Sequence, residues 1–358
     1  MLGRGLKLLS QHPTSGGVVL PAGLAGYRAM VAASKAVTSG GTIATVGDST
    51  TSGTGAAAMT GSYPYQLYLT MLAAGIPVVF DACCGQAGTD TRVVLTVGAV
   101  KGGQAQCCPG YNLSAAGGNL AFTPVSQVDT FDIYYIKGAT TGTATVSING
   151  GATLTTLSTN GTNGVQKVTV TATKGANTLN ILQTAGSVWL QHIDAYDSTA
   201  KKVRIIGMGY PGSTSSNYVD AGTNTFNPCQ GVRAATPNLV IFNMGINDCN
   251  TSVALATYSS QMQSFISAVL AYGNIMLVGF NSIGTGPTEA SIQTYISTLA
   301  TLAATNSISL PDIHNISANW ATYAAANAAV LMSDTLHPNA TGYAQIGPAV
   351  AAPLLIGV

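Results

Sequence analysis

The sequence predicts a mixed α/β protein: a doubly wound, five-stranded parallel sheet in three α/β/α layers, with an antiparallel β-sandwich domain inserted into it. Two observations support this prediction. Towards both ends of the chain, short continuous apolar runs alternate with segments of helical period, which is typical of parallel strands buried on both faces. The middle of the chain instead alternates with the period of half-buried strands, and no segment of helical period interrupts it.

Five apolar runs form the predicted parallel sheet. In chain order they are TIATVG, KKVRIIGMG, PNLVIFNMG, NIMLVGFN and SISLPDI, and IPVVFDA is a further strand candidate. Three segments have helical period: SYPYQLYLTMLAAG, with Tyr65, Leu69 and Leu72 as apolar positions, SVALATYSSQMQSFISAVLAYG and TEASIQTYISTLATLAATN. Strands that alternate with helices predict a site at the carboxyl ends of the strands.

Five segments of strand period predict the inserted sandwich: FDIYYI, TATVSING, QKVTVTAT, NTLNILQT and SVWLQHIDAY. We therefore expect an amino-terminal extension over 1–36, an α/β domain made of 37–83 and 201–358, and the sandwich over 84–200. The insertion could recognise a substrate, or it could be a structural or oligomerising module. Its aromatic residues could stack on sugar rings or fill its core; they are Tyr134, Tyr135, Trp189 and Tyr196.

The composition excludes several classes of protein. Only 7% of the 358 residues are charged and the net charge is +1, so the chain lacks the basic patch of a nucleic-acid binder. No apolar run is long enough to predict a membrane span, and the amino terminus is a poor match to a signal peptide. A surface rich in Gly, Ser and Thr favours an extracellular or virion-associated protein. The extension could attach it to a particle, and the chain could form a homo-oligomer.

Six cysteines occur, at positions 83, 84, 107, 108, 229 and 249. Their spacing is not that of a zinc site, and we expect neither a metal nor another cofactor. An even number of cysteines in an oxidising setting favours disulfides, with six buried thiols as the alternative.

Polar motifs follow the predicted strands. The first strand ends in Gly-Asp-Ser, with Ser49 last, and the third is followed by Gly-Ile-Asn-Asp, which contains Asn247. Near the carboxyl terminus, Asp334 precedes His337 by three residues. A serine hydroxyl needs a base within hydrogen-bond reach, and a carboxylate can orient that base and stabilise its charged form. His337 and Asp334 are the candidates for these roles, and His314 is the one rival base.

These motifs, in this order, resemble those of the SGNH hydrolases, also called the GDSL family, over roughly residues 40–80 and 200–350. The resemblance implies a flavodoxin-like α/β/α fold and hydrolysis of esters, often acetyl esters of carbohydrates. It implies a catalytic triad of Ser49, Asp334 and His337. It also implies an oxyanion hole formed by the backbone N–H of Ser49, the backbone N–H of a glycine and the side-chain amide of Asn247.

Two glycines fit the oxyanion position. Gly212 follows the strand KKVRIIGMG, whereas Gly88 follows IPVVFDA. Gly212 is preferred because it leaves five evenly spaced core strands, with the insertion between the first and the second. With Gly88, the insertion would follow the oxyanion glycine instead.

The expected function is that of a serine esterase that removes O-acetyl groups from a carbohydrate or polysaccharide through an acyl-enzyme on Ser49. A lipase or thioesterase on the same fold is the first alternative, although no long apolar lid segment is visible. The second is a non-enzymatic carbohydrate-binding or adhesion module, against which the intact set of motifs argues.

Overall fold

The computed structural model describes residues 22–85, 87–96, 98–101, 109–138, 141–219 and 227–358. In these ranges the helices are α1 (Ala25–Lys35), α2 (Ser49–Ser52), α3 (Tyr63–Ala73), α4 (Pro228–Ala235), α5 (Ile246–Asn250), α6 (Leu255–Leu270), α7 (Glu289–Thr305), α8 (Tyr323–Ala328) and α9 (Ala340–Leu355). The strands are β1 (Gly41–Gly47), β2 (Val78–Val79), β3 (Val93–Leu95), β4 (Ala99–Lys101), β5 (Tyr111–Leu113), β6 (Asn119–Phe122), β7 (Val128–Lys137), β8 (Gly142–Ile148), β9 (Thr155–Ser158), β10 (Gly164–Gly175), β11 (Leu179–Gly186), β12 (Val188–Tyr196), β13 (Val203–Gly209), β14 (Leu239–Asn243) and β15 (Asn274–Val278).

A five-stranded parallel sheet has the strand order β15-β14-β1-β13-β2. Every residue of β1 is buried, as its continuous apolar sequence predicts for a central strand covered on both faces. At the carboxyl end of β1, Gly47 pairs with Gly209 of β13 on one side and with Asn243 of β14 on the other. The loops that follow these three strands therefore meet at one edge of the sheet.

Helices cover both faces of this sheet. Successive side chains of a strand point to opposite faces, and the buried residues divide accordingly into two clusters. Val46 and Phe242 pack in a cluster with residues of α4, α6 and α7. Ile43 and Ile241 pack in the other cluster, with residues of α1, α3 and α9. The parallel sheet is thus the middle layer of the α/β part of the chain.

The prediction of a fifth core strand over SISLPDI is wrong. This segment runs beside β15 through two hydrogen bonds, from Leu277 N–H to the Ser309 carbonyl and from Gly279 N–H to the Pro311 carbonyl. Only an isolated bridge forms there, between Gly279 and Asp312. Pro311 has no N–H, so a continuous ladder cannot pass through it. The fifth strand is β2, from IPVVFDA, which pairs with β13 at the opposite edge.

Residues 22–36 do not form a loose extension, contrary to expectation. They contain α1, and its Tyr27 and Val31 are fully buried in the same cluster as α3 and α9. The sequence does not predict this helix because its alanine-rich segment presents few large apolar residues. Residues 1–21, which include His12, lie outside the described residues.

Helix α3 forms where the sequence predicts it but buries a different face. Leu69 and Leu72 are 40% and 46% exposed, so they do not belong to a core stripe. The buried positions are instead Tyr63, Leu67 and Met71, which are four residues apart and pack beside α9. Nearly every position of this segment is apolar or aromatic, so periodicity alone could not select the face.

Two five-stranded antiparallel sheets make up the middle of the chain. Their strand orders are β10-β7-β12-β5-β4 and β3-β6-β11-β8-β9. Each of the five expected segments forms a strand, namely β7, β8, β10, β11 and β12. The two sheets share one buried cluster, to which β7 contributes Phe131 and β11 contributes Ile181. Tyr134 and Tyr135 are also buried, which favours a core role for both over stacking on a sugar.

Hydrogen bonds join the antiparallel sheets to the α/β part. Cys83 exchanges two backbone hydrogen bonds with Ile193 of β12, each 2.9 Å long. The guanidinium of Arg92 donates to the carbonyls of Phe80 (2.7 Å) and Ala82 (2.9 Å), just beyond β2. Buried hydrogen bonds therefore join the antiparallel sheets to the α/β part of the chain.

The four cysteines that the structure describes are buried and none of them is in a disulfide, so the expectation of disulfides is wrong for them; they are Cys83, Cys84, Cys229 and Cys249. Cys107 and Cys108 lie outside the described residues. Among the helices that are described, none has the length and apolar character to span a membrane.

Candidate active site

The first polar motif forms a tight strand-to-helix turn. Asp48 caps α2, and its Oδ1 accepts a hydrogen bond from Thr50 N–H at 2.9 Å. Ser49 is therefore the first residue of the helix, and it is only 5% exposed. The other carboxylate oxygen of Asp48 is buried without a partner. Burial raises the pKa of this carboxyl to about 7.

The carbonyl of Gly47 fixes the chain just before this turn. It accepts hydrogen bonds from Tyr210 N–H (2.8 Å) and from the buried Tyr218 hydroxyl (2.7 Å). Both donors belong to the chain that follows β13. The loop after β13 and the serine turn therefore hold each other in place.

The structure brings Ser49, His337 and Asp334 into one hydrogen-bonded row. His337 Nε2 lies 2.9 Å from Ser49 Oγ, and His337 Nδ1 lies 2.8 Å from Asp334 Oδ2. The other oxygen of Asp334 accepts from the backbone N–H groups of Leu336 and His337, at 2.7 Å each. Partial burial opposes ionisation of Asp334, but its bonds with the His337 side chain and with the backbone outweigh it and lower its pKa. The carboxylate thus stays ionised beside the imidazole.

The loop that carries Asp334 and His337 is anchored by residues that the sequence analysis did not single out. The buried amide of Asn281 donates to the Leu336 carbonyl at 3.0 Å, and Gly284 N–H donates to the Thr335 carbonyl at 2.7 Å. Asn281 ends the apolar run NIMLVGFN, so its place after a core strand was a signal in the sequence.

Asn247 lies at the start of α5, after β14, and its side chain is half-buried. Its Nδ2 donates to the Ser213 carbonyl at 2.8 Å, which leaves the second amide proton for another acceptor. The neighbouring Asp248 accepts from the backbone N–H and the hydroxyl of Ser215. Burial raises the pKa of Asp248, although its bonds with Ser215 oppose the rise. These bonds fasten the loop after β13 to the loop after β14.

The two candidate glycines lie in different surroundings. Gly212 is exposed and has a φ of +77°, in the loop whose next residue, Ser213, is bonded to Asn247. Gly88 packs against the backbone of Ala58, and its carbonyl accepts from Lys101 Nζ at 2.9 Å. Gly212 is therefore the glycine whose loop is connected to both Ser49 and Asn247.

The other described histidines are engaged elsewhere. His314 is fully buried and its Nε2 lies 2.6 Å from Glu289 Oε1, so the rival base is not bonded to the serine. His192 is fully buried and stacked on Tyr134, with ring centroids 4.0 Å apart. Burial lowers the pKa of His192 to about 3. In the described ranges, no three His, Cys, Asp or Glu side chains gather as metal ligands would.

The model of the GDSL-like lipase/acylhydrolase family matches residues 163–345, which is more than half of the chain. The matched stretch contains Gly212, Asn247, Asp334 and His337, whereas Ser49 precedes it. No curated protein matches the chain.

Among solved structures, a peptidoglycan O-acetylesterase is similar with a TM-score of 0.69 and 15% identity, over 92% of this chain and 94% of the other. At that identity the likeness shows a shared fold. A second solved structure is a carbohydrate esterase of family 2 with a carbohydrate-binding domain, from Corynascus thermopiles (Myceliophthora fergusii). It is 14% identical, and the match covers 72% of this chain and 99% of the other, with a TM-score of 0.33.

Proposed function

The chain belongs to the GDSL-like lipase/acylhydrolase family, and we propose that it removes O-acetyl groups from a carbohydrate through an acetyl-enzyme on Ser49. It is a carboxylic ester hydrolase, as the family and the solved esterases of this kind indicate. One observation carries the proposal: an unbroken row of hydrogen bonds runs from Ser49 Oγ through the His337 ring to Asp334. This row is what a serine nucleophile needs at neutral pH.

In the first step, Ser49 Oγ attacks the acetyl carbonyl carbon and gives its proton to His337 Nε2. Asp334 keeps Nδ1 protonated and stabilises the imidazolium without taking a proton itself. The tetrahedral intermediate then expels the sugar oxygen, which takes the proton from His337. Water attacks the acetyl-enzyme in the same way, and acetate leaves.

Three donors are available for the oxyanion of the tetrahedral intermediate. They are the N–H of Ser49, the N–H of Gly212 and the second amide proton of Asn247. The bond from Asn247 to Ser213 supports this set, because it orients the amide and holds the loop of Gly212 in place before the reaction.

The small exposed fraction of the serine supports a small acyl group. Ser49 is 5% exposed and the His337 side chain 16%, so little of the reacting pair faces solvent. An acetyl group needs less space beside a buried hydroxyl than a long acyl chain does. The peptidoglycan O-acetylesterase of the same fold supports an acetylated carbohydrate as the substrate class.

The two antiparallel sheets support an inserted β-sandwich over residues 84–200, because they share a core of their own. The α/β domain would then consist of α1, 37–83 and 201–358, and it would contain every residue of the proposed triad and oxyanion hole. Secretion or attachment to a virion stays a prediction from composition.

The test is a series of aryl esters of increasing acyl length, followed by acetate release from a panel of acetylated polysaccharides. We expect kcat/KM to be highest for the acetyl ester and to fall at least tenfold by the octanoyl ester, on the scale of a pocket that excludes extra methylenes. Preference for the octanoyl ester would make the protein a lipase. If the folded protein hydrolyses none of the esters, the esterase proposal is wrong and the alternative of a non-enzymatic carbohydrate-binding module is favoured.

A further inference from the structure

A cavity of about 420 Å³ lies where the parallel sheet meets the antiparallel sheets. Gly40 and Arg204 line it from the amino ends of β1 and β13, and Val128 and Tyr196 line it from β7 and β12. Ser49 follows the opposite, carboxyl end of β1, and the seven residues of that strand separate the two by roughly 20 Å. The volume is in the range of small-molecule sites, so this is a second place where a ligand could bind.

Two of the cationic side chains in the wall are already paired. Lys174 forms an ion pair with Asp197, and Arg204 Nε lies 2.7 Å from Asp194 Oδ2. Asp194 is 2% exposed, so the second pair is part of the buried junction. Neither cation is free to attract a ligand.

Two further cations, Lys201 and Lys202, remain in the wall, and Asp81 is the further acid among the lining residues. Asp81 is buried and its Oδ1 accepts from the N–H groups of Val125 and Ser126, so backbone donors partly satisfy its charge. Among the residues that the structure describes, the Lys201 ammonium donates to one acceptor, the Ser198 carbonyl, at 2.8 Å, and an ammonium has three protons to donate. Lys202 is exposed. Asp129 is a further acid behind the wall, where it accepts from the N–H and the hydroxyl of Ser198. The positive charge available to an anion is therefore local, at the ammonium groups of Lys201 and Lys202, which form no ion pair with the acids in the described ranges.

The rest of the wall suits a hydroxylated ring. Tyr196 is half-buried, and the Arg204 guanidinium stacks on its ring at 4.3 Å from the centroid, which holds the ring in place. Ser126 and Ser198 also line the cavity, and the Ser198 hydroxyl, which donates to Asp129 Oδ2 at 2.7 Å, can still accept a hydrogen bond. A fixed aromatic ring, two hydroxyls and two ammonium groups form a set that binds both the polar edge and the apolar face of a sugar.

We propose that this cavity binds an acidic sugar, with the sugar carboxylate at Lys201 and Lys202 and the ring against Tyr196. The site is separate from the serine and does not rest on the proposed esterase function. It would hold a carboxylated glycan on the side of the molecule opposite to the reacting ester.

The test is calorimetric titration of the full chain with methyl β-D-glucuronide and with methyl β-D-glucoside, which differ only in the carboxylate. We expect the glucuronide to bind at least tenfold more tightly. The double variant Lys201→Gln/Lys202→Gln should lose at least tenfold in affinity for the glucuronide, while its hydrolysis of aryl acetate stays unchanged. Glutamine keeps most of the side-chain length and removes the charge.

A matched control is Lys137→Gln. Lys137 ends β7, whose first residue, Val128, lines the cavity, so it lies roughly 30 Å away along the strand. This variant should bind the glucuronide as the unchanged protein does. Ser49→Ala should also bind it normally, which separates failure of this proposal from failure of the esterase assignment.

Four results would overturn the proposal. Equal affinity for glucuronide and glucoside would remove the role of the carboxylate, and unchanged affinity in the double variant would place binding elsewhere. Inorganic phosphate that binds as tightly as the glucuronide would show a site for charge alone, with no part for the sugar ring. Absence of saturable binding by folded protein would exclude the site.

Discussion

Gly55 lies directly against His337. A β-carbon at position 55 would stand 3.2 Å from the β-carbon of His337 and would collide with the Pro338 carbonyl. The φ of Gly55 is +94°, a conformation that other residues rarely adopt. The His337 imidazole can therefore occupy its position only because Gly55, in the loop after α2, has no side chain.

We expect Gly55→Ala to lower kcat roughly a hundredfold, because a displacement of about 1 Å of a catalytic group has an effect of this size. The matched control is Gly75→Ala. Gly75 also has a positive φ, of +76°, but an added β-carbon there meets no atom within 4 Å. The control therefore carries backbone strain alone. Equal turnover numbers for the two variants in an aryl acetate assay would contradict a positioning role for Gly55.

Ser49→Ala should reduce ester hydrolysis by about a thousandfold or more, because no nucleophile remains for the acetyl-enzyme. Folding should be preserved, since the change removes a single hydroxyl that is bonded to His337. Turnover and the thermal unfolding midpoint should be measured on the same preparation. Near-normal turnover by the folded variant would refute the assignment of the nucleophile.

Asn247→Ala should lower kcat roughly a hundredfold, the usual effect of removing one oxyanion donor. KM should change little, since the developing oxyanion is stabilised more than the ground-state carbonyl. Asn247 also bonds to Ser213, so loop displacement needs a control. Ser215→Ala provides it, because that change loosens the same loop at Asp248 and leaves the amide intact. If KM alone rises in Asn247→Ala, the residue binds substrate instead.

Asp48→Asn should change how stability depends on pH. The pKa of Asp48 is about 7 in the folded protein, against 3.8 for an ordinary aspartate. Between these values the unfolded chain has released the proton while the folded chain retains it, so the stability of the unchanged protein falls as pH rises. Asparagine caps a helix as well as aspartate and does not ionise.

The advantage of the Asp48→Asn variant in free energy of unfolding should therefore grow from about pH 4 to about pH 7 and then level off, at no more than roughly 4 kcal/mol. Urea unfolding at a series of pH values measures it. Parallel stability curves for the two proteins would show that Asp48 is ionised throughout.

Arg92→Ala should destabilise the junction of the antiparallel sheets with the α/β part. The guanidinium is buried and bonded to Asp90 and to the Phe80 and Ala82 carbonyls, so its loss leaves two buried carbonyls without their donor and breaks the ion pair with the partly buried Asp90. We expect a loss of about 2–4 kcal/mol in the free energy of unfolding. Lys174→Ala is the control: it breaks an ion pair whose lysine side chain is 50% exposed and should cost less than about 1 kcal/mol. Equal losses in the two variants would contradict a role for Arg92 in joining the parts.

Several elements follow from the sequence because local chemistry dictates them. The continuous apolar run TIATVG predicts a strand buried on both faces that leads into a loop or the start of a helix, and the structure has β1 followed by α2, with Asp48 as the cap. Asp334 and His337 are three residues apart, close enough for the carboxylate to accept from both the backbone and the ring of the histidine. The pairing of these two side chains is local, so the sequence alone could predict it.

The tertiary structure decided what depends on contacts between distant segments. The 2.9 Å approach of His337 to Ser49 joins residues 288 positions apart, and it exists because the sheet brings their loops together and Asn281 holds one of them. Pro311 prevents SISLPDI from forming a continuous ladder with β15, because its missing N–H matters only where a neighbouring strand needs it, and β2 is the fifth strand at the other edge. The cavity beside Arg204 lies between the parallel sheet and an antiparallel sheet. The sequence pattern of a strand predicts which face it buries but not how two sheets pack against each other, so the cavity could not be predicted.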